Sequence, residues 1–179
     1  AVEEELVAMF REEGAEHAVV SGAALARIAI VDERPEEQYL AAEFELFRRL
    51  FADHGIAATV VDPGELAFDG ECLRCRGEIV DLIYNRLTDF GLEKPQHALL
   101  RDAYLADAVV LTPHPRVHAL FADKRNLVAL GDDDWLQSIG VGADDRNLLS
   151  QSIPCTEEVL PEKAEVYWRS RREWFFKPT

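Results

Sequence analysis

The chain has 179 residues, with 34 Asp and Glu against 19 Lys and Arg, so its formal net charge is -15. Hydrophobic residues make up 48% and charged residues 30%, which excludes a disordered or low-complexity chain and allows one ordinary domain with a sizeable core. The acidic balance repels nucleic acid and anionic lipid, no apolar run approaches the roughly 20 residues that span a bilayer, and no signal-peptide pattern opens the chain, so a cytoplasmic protein is expected.

Val2, Leu6, Met9 and Phe10 fall at helical spacing in residues 1–13, and Gly14 is expected to stop that helix. The chain starts without methionine and already inside this pattern, as a trimmed or partial chain does. Residues 28–31 form a short β-branched run ending in Asp32 and Glu33, and Pro35 with acidic residues then opens a helix over about 36–54. Leu40, Phe44, Phe47 and Phe51 make its apolar stripe, Glu45 and Arg49 pair on its other face, and Gly55 ends it.

"AATVVDP" reads as a second buried strand and "LAFDGECLRCRG" as a hairpin turning at Asp69-Gly70. Residues 79–84 supply a third core strand that emerges at Asn85, Arg86, Thr88 and Asp89. A helix over about 95–106 and a strand over 108–112 complete the alternation. Strands alternating with helices predict an α/β fold with a parallel sheet, strand order 2-1-3-4, and a binding crevice at the carboxyl ends of the strands. Those ends carry Asp32, Asn85, Arg86 and Thr112. Residues 116–172 read as several short helices, begun by Asp123, Asp132 to Asp134, Asp144 with Asp145, and Pro161 with Glu162. Only "WFFKPT" at 174–179 is extended beyond them.

Several constellations are weighed against plain structural roles. Cys72 and Cys75 form a CxxC without a second ligand pair or a helix N-terminus, which favours a structural reading and, with Cys155, a reducing compartment. His114 and His118 are four apart, but Pro113 and Pro115 bracket His114 and place it before the helix, so no metal site is expected. Gly140 and Gly142 read as helix stops, not as a dinucleotide fingerprint. "IAIVDE", "VVLT" and "FFKP" look like the first, fourth and fifth strands of a phosphorelay receiver, except that Asn85 stands where the phosphoacceptor aspartate belongs and Thr112 and Lys177 are too far apart.

Lys124 beside Asp123 at the start of an apolar helix, and Lys177 in "FFKPT", carry another resemblance. The chain resembles the N-terminal portion of ATP-grasp carboxylate-amine ligases, and more closely a glutathione-synthetase-like branch of them, over about residues 27–179. "DLIYNRLTDF" and "VVLTPHPRVHALFADKRNL" look like stretches of that branch. After the N-terminal helix and connector over 1–26, the resemblance implies a Rossmann-like pre-ATP-grasp domain over 27–115, a helical linker over 116–173, and the first strand of a truncated ATP-grasp domain over 174–179.

It further implies that Lys124 and Lys177 contact nucleotide phosphates, and that Asp32, Asn85, Arg86, Thr88 and Thr112 line a substrate crevice. ATP and magnesium are the cofactors implied for the full-length parent, with small carboxylate and amine substrates and the remaining ATP-grasp domain of the same polypeptide as partners. Because the family's glycine-rich loop and magnesium ligands are expected beyond Thr179, the chain reads as a fragment that neither catalyses alone nor binds nucleotide tightly. A degenerate receiver-like signalling module and a structural or dimerisation module are the alternative classes, and a homodimer is left open.

Overall fold

The structure, a computed structural model, describes residues 2–21 and 25–177, with side chains for 2–15 and 25–177. The chain divides into two units, Ala1–Arg116 and Val117–Thr179.

The first unit begins with α1 (Val2–Ser21), which runs through Gly14 instead of stopping there. Gly14 is a close-approach position: a Cβ at that site would meet Leu25 Cβ at 3.0 Å. Glycine costs a helix interior about 1 kcal/mol, and the burial of Val7 and Phe10 in the core, on the N-terminal side of Gly14, offsets that cost.

Strand β1 (Arg27–Val31) leads through a 3-10 turn (Pro35–Glu37) into α2 (Ala41–Asp53) and then β2 (Ala57–Val61). Three of the four expected stripe residues face the core, Phe44 and Phe51 buried and Phe47 packed beside them, whereas Leu40 precedes the helix as its N-cap and is exposed; Glu45 sits 2.9 Å from Arg49 on the outside. A second 3-10 turn (Pro63–Glu65) precedes β3 (Leu66–Phe68), β4 (Leu73–Cys75) and β5 (Glu78–Ile79), which form a small antiparallel sheet. The run 79–84 is not one strand. Glu78 and Ile79 pair with β4. The Asp81 carboxylate then accepts the Ala26 and Arg27 N–H groups at 2.9 and 2.7 Å, and the chain enters the main sheet as β6 (Leu82–Asn85).

A third 3-10 turn (Pro95–His97) opens α3 (Ala98–Leu105), and β7 (Val110–Thr112) completes the unit. The four-stranded sheet has the order β2-β1-β6-β7, all parallel. Alternate residues of β1 face opposite sides, as strand geometry requires. Ile28 and Ile30 join α1 and α2 in one core layer, and Ala29 and Val31 join the hairpin and α3 in the other. This is an α/β arrangement with helices on the faces of a parallel sheet. Cys75 is buried in the second layer, which pushes its thiol pKa up and confirms it as a packing residue.

The second unit begins at Val117, within α4 (Pro115–Phe121), whose start leaves His114 outside the helix. It holds α5 (Asn126–Leu130), α6 (Asp133–Ser138), α7 (Ala143–Ser152) and, after a 3-10 turn at Pro161–Lys163, α8 (Ala164–Arg169). Asp132 caps α6 by accepting the Trp135 N–H at 3.0 Å. Arg146 clamps α7 to α6 through Asp133 at 2.8 Å. Leu136 and Tyr167 are its buried large apolar side chains among the described residues. Residues 174–177 are irregular and form no strand, and Pro178 and Thr179 lie outside the described residues.

Candidate functional site

In the main sheet β1 leads outward to β2, and the chain then returns to the other side of β1 as β6. The loops after β1 and β6 therefore diverge, and that divergence is where open parallel sheets bind ligands. The Pro-initiated turns at Pro35–Glu37, Pro63–Glu65 and Pro95–His97 fix the chain just beyond β1, β2 and β6. They concentrate polar side chains at one end of the sheet.

Asp32 follows β1 immediately and is partly buried. Its Oδ1 accepts the Glu33 N–H at 2.8 Å. Burial raises its carboxyl above the usual range, against the pull of that N–H and of Arg86. Arg86, one residue past β6, is held from three sides. Its guanidinium contacts Glu43 at 2.9 Å and the Tyr84 hydroxyl at 2.9 Å, and lies over the Phe44 ring, 5.7 Å from its centroid. Its N–H donates to Val31 O at 2.9 Å, which ties the two diverging loops together.

Asn85 is buried and structural in its bonding: Oδ1 accepts the Leu87 N–H at 3.2 Å, and Nδ2 donates to Pro113 O at 3.4 Å. Thr112 is buried at the end of β7. Thr88 is exposed. The structure thus brings Asp32, Asn85, Arg86 and Thr112 to one end of the sheet. Asp32 and Arg86 stand at the divergence itself, and Asn85 is committed to holding the β6 and β7 loops.

The sequence reading missed His97. Its ring is fully buried at the C-terminal end of the Pro95–His97 turn. Nδ1 lies 2.7 Å from Asp89 Oδ2, and since a carboxylate only accepts, Nδ1 carries the proton. Nε2 lies 3.2 Å from Glu33 Oε1 but makes no aligned hydrogen bond. Glu33 also accepts Lys94 Nζ at 2.9 Å and Gln96 Nε2 at 3.4 Å. The Lys94 ammonium, chiefly, pulls the Glu33 carboxyl below its ordinary range.

Asp62, after β2, accepts the N–H groups of Arg34 and Gly64 at 2.8 Å each, and these lower its carboxyl pKa. For Asp89, burial opposes ionisation, but the Lys94 N–H, the His97 ring and the Glu93 N–H more than reverse it and leave the pKa lowered. Its contacts to the Lys94 and Glu93 N–H groups measure 2.9 and 3.1 Å. The one sequence-level signal for His97 is its place in the Pro95-Gln96-His97 turn before an apolar helix, where a polar ring must find a partner if it turns inward.

Lys124 and Lys177 belong to the second unit. Lys124 is exposed in the turn before α5, beside Asp123, whose carboxyl Arg125 lowers to about 2. Lys177 is exposed, with Nζ 5.4 Å from the centroid of the Phe175 ring. Neither ammonium forms an ion pair with a described carboxylate. The second unit also has an open pocket lined by Glu157, Lys163, Val166, Tyr167, Ser170 and Trp174, and neither lysine lines it. No group of three His, Cys, Asp or Glu among the described residues could hold a metal ion. No protein-family model matches the chain, and no curated protein matches it in sequence, so the functional argument rests on this geometry.

Proposed function

We propose that the first unit holds a small polar substrate at the strand ends, as the pre-grasp portion of an ATP-dependent carboxylate-amine ligase. The observation that carries the reading is the divergence of the β1 and β6 loops in a β2-β1-β6-β7 sheet, with Asp32 and Arg86 fixed on either side of it. In such a ligase a substrate carboxylate oxygen attacks the terminal phosphorus of ATP and displaces ADP. An amine then attacks the acyl carbon and expels inorganic phosphate, losing a proton.

The chain's own contribution is positioning. Arg86 is pre-set by Glu43 and Tyr84, so it keeps its direction without a ligand. Asp32, Thr112 and the exposed Thr88 line the same end of the sheet, where Asn85 fixes the loop backbone. Lys124 and Lys177 suit phosphate contact because both ammonium groups are exposed and unpaired with any described carboxylate. Magnesium finds no ligand set among the described residues, and no step is assigned to it.

The test is ATP consumption by the product of the complete reading frame, supplied with pooled carboxylates and amines, beside direct ATP titration. ADP formation that requires both substrate pools is expected, with ATP affinity weakened at least about tenfold in Lys177→Ala. No ATP binding at millimolar concentration refutes the ligase reading, and unchanged binding in Lys177→Ala refutes the role of Lys177. A receiver-like module is the competing class. Asn85 cannot accept a phosphoryl group, so acetyl phosphate is expected to leave no covalent phosphate on the chain.

A further inference from the structure

Two loops meet at one buried ring. His97 is fully buried, with Nδ1 2.7 Å from Asp89 Oδ2 in the β6 loop and Nε2 3.2 Å from Glu33 Oε1 in the β1 loop. A neutral imidazole carries one N–H, and the contact with Asp89 takes it. Nε2 would then be a lone pair set against a carboxylate oxygen, with no hydrogen-bond partner among the described residues. A second proton on the ring turns that opposition into an ion pair.

The surrounding charge supports the second proton. The ionisable groups that face the ring are Glu33 from the β1 loop, Asp62 from the turn after β2 and Asp89 from the β6 loop. Lys94, the cation of the ring's own segment, is bound to Glu33 at 2.9 Å. All three carboxyls lie below their ordinary range, so they stay ionised wherever a histidine titrates.

The β1 loop that Glu33 anchors is also strained. Arg34, the next residue, has φ 44°, in the left-handed region that side chains other than glycine's seldom adopt. Asp62 holds that backbone by accepting the Arg34 N–H at 2.8 Å. The Glu33 side chain meets Lys94, Gln96 and His97, and the first two are exposed, where such contacts hold weakly. The buried ring is the firm partner.

We infer that His97 is an imidazolium latch on the β1 loop: doubly protonated, it bridges Asp89 and Glu33, and on losing its Nε2 proton to water it releases Glu33 and the loop that carries Asp32. The bridged form contributes its stability on the acid side of the ring's titration and loses it as pH rises. His97 touches no substrate and is a positioning residue. Its consequence for binding rests on the reading of the strand ends as a substrate crevice, whereas the latch itself does not.

The test uses the full chain labelled with nitrogen-15 and needs neither ATP nor substrate, so its failure is distinct from failure of the ligase reading. The ring nitrogens of His97 and the amides of Glu33 and Arg34 are followed from about pH 5 to about pH 9, the interval around an ordinary histidine titration. At the acid end both ring nitrogens are expected to carry protons, and the two amides to shift with the same midpoint as Nε2. Glu33→Gln removes one carboxylate and leaves the Asp89 contact, so the ring's affinity for its second proton is expected to fall at least about tenfold. His97→Asn keeps a donor for Asp89, and its Glu33 and Arg34 amides are expected to be insensitive to pH over the same interval. Glu71→Gln, which alters an exposed acid of the hairpin, is expected to titrate like the parent.

An Nε2 without a proton at the acid end, a ring that does not titrate in the interval, or amides that fail to follow it each overturns the inference. So does a Glu33→Gln ring with the parent's midpoint, or an unchanged amide titration in His97→Asn. The parent titration decides the ring's charge without any variant, and thermal melting checks the folding of each substitution.

Discussion

Replacing Asp89 with alanine removes three contacts at once: those to the Glu93 N–H at 3.1 Å, the Lys94 N–H at 2.9 Å and the His97 ring at 2.7 Å. The two backbone N–H groups lie in an exposed turn, so water replaces their acceptor and each loss costs about 0.5 kcal/mol. The imidazole has no such recourse, because His97 is fully buried. Its stranded N–H costs a further ~1–3 kcal/mol, for a total of about 2–4 kcal/mol. The assay is urea unfolding followed by far-UV circular dichroism. Tryptophan fluorescence is unsuitable because Trp135, Trp168 and Trp174 all lie in the second unit. The folded-state carboxyl pKa of Asp89 is depressed, so its stabilisation is present above the unfolded value of about 4 and is lost as pH falls through the folded value. The gap between parent and Asp89→Ala should accordingly narrow as the pH drops below about 4. A variant within about 0.5 kcal/mol of the parent at pH 7, or a gap that stays constant in acid, refutes the account of the His97 clamp.

Phe10→Ala should cost about 3–5 kcal/mol, because the ring is buried and meets Phe51 and Tyr84 edge-on at 4.9 and 5.0 Å; a loss below about 1 kcal/mol in the same unfolding assay means that α1 does not dock as described. Gly14→Ala should destabilise by about 1–2 kcal/mol despite alanine's better helix propensity, since the new Cβ meets Leu25 Cβ at 3.0 Å; a raised melting temperature contradicts that close approach. Asp32→Asn should stabilise the fold slightly at pH 7, by no more than about 1 kcal/mol given its partial exposure, and so raise the melting temperature. The sign follows from a folded-state carboxyl pKa held above normal: the ionised form is disfavoured in the folded chain, and the penalty disappears as pH falls through the folded value. A lower melting temperature for this variant implies a partner for the charge.

The parallel sheet was legible because residues 28–31 and 57–61 are short β-branched runs joined by a helix with an unambiguous stripe at Phe44, Phe47 and Phe51. Right-handed crossovers leave few orders for such a pattern, and 2-1-3-4 is the order found. Gly14 misled because its local propensity argues for a stop, whereas a tertiary contact with Leu25 decides the outcome. The run 79–84 misled for the reverse reason: its apolar character is continuous, but Asp81 reaches back to the start of β1 and divides it between two sheets. Asp32 and Arg86 were visible as polar residues closing apolar strands. His97 was not, since its partners stand 8 positions away at Asp89 and 64 away at Glu33, and no spacing rule connects them.

The strand ends also explain why two neighbouring acids play opposite parts. Glu33 and Asp32 share the β1 loop, yet the Pro95–His97 turn delivers Lys94 and His97 to Glu33 and nothing to Asp32. A matched carboxylate fastens loops together, and its removal loosens the crevice. An unmatched one costs the fold some stability, and a protein retains such a group where a ligand completes it. The sign of the Asp32→Asn stability change therefore separates the two parts: a more stable variant identifies a carboxylate that the fold itself does not use, whereas a less stable one identifies a structural carboxylate.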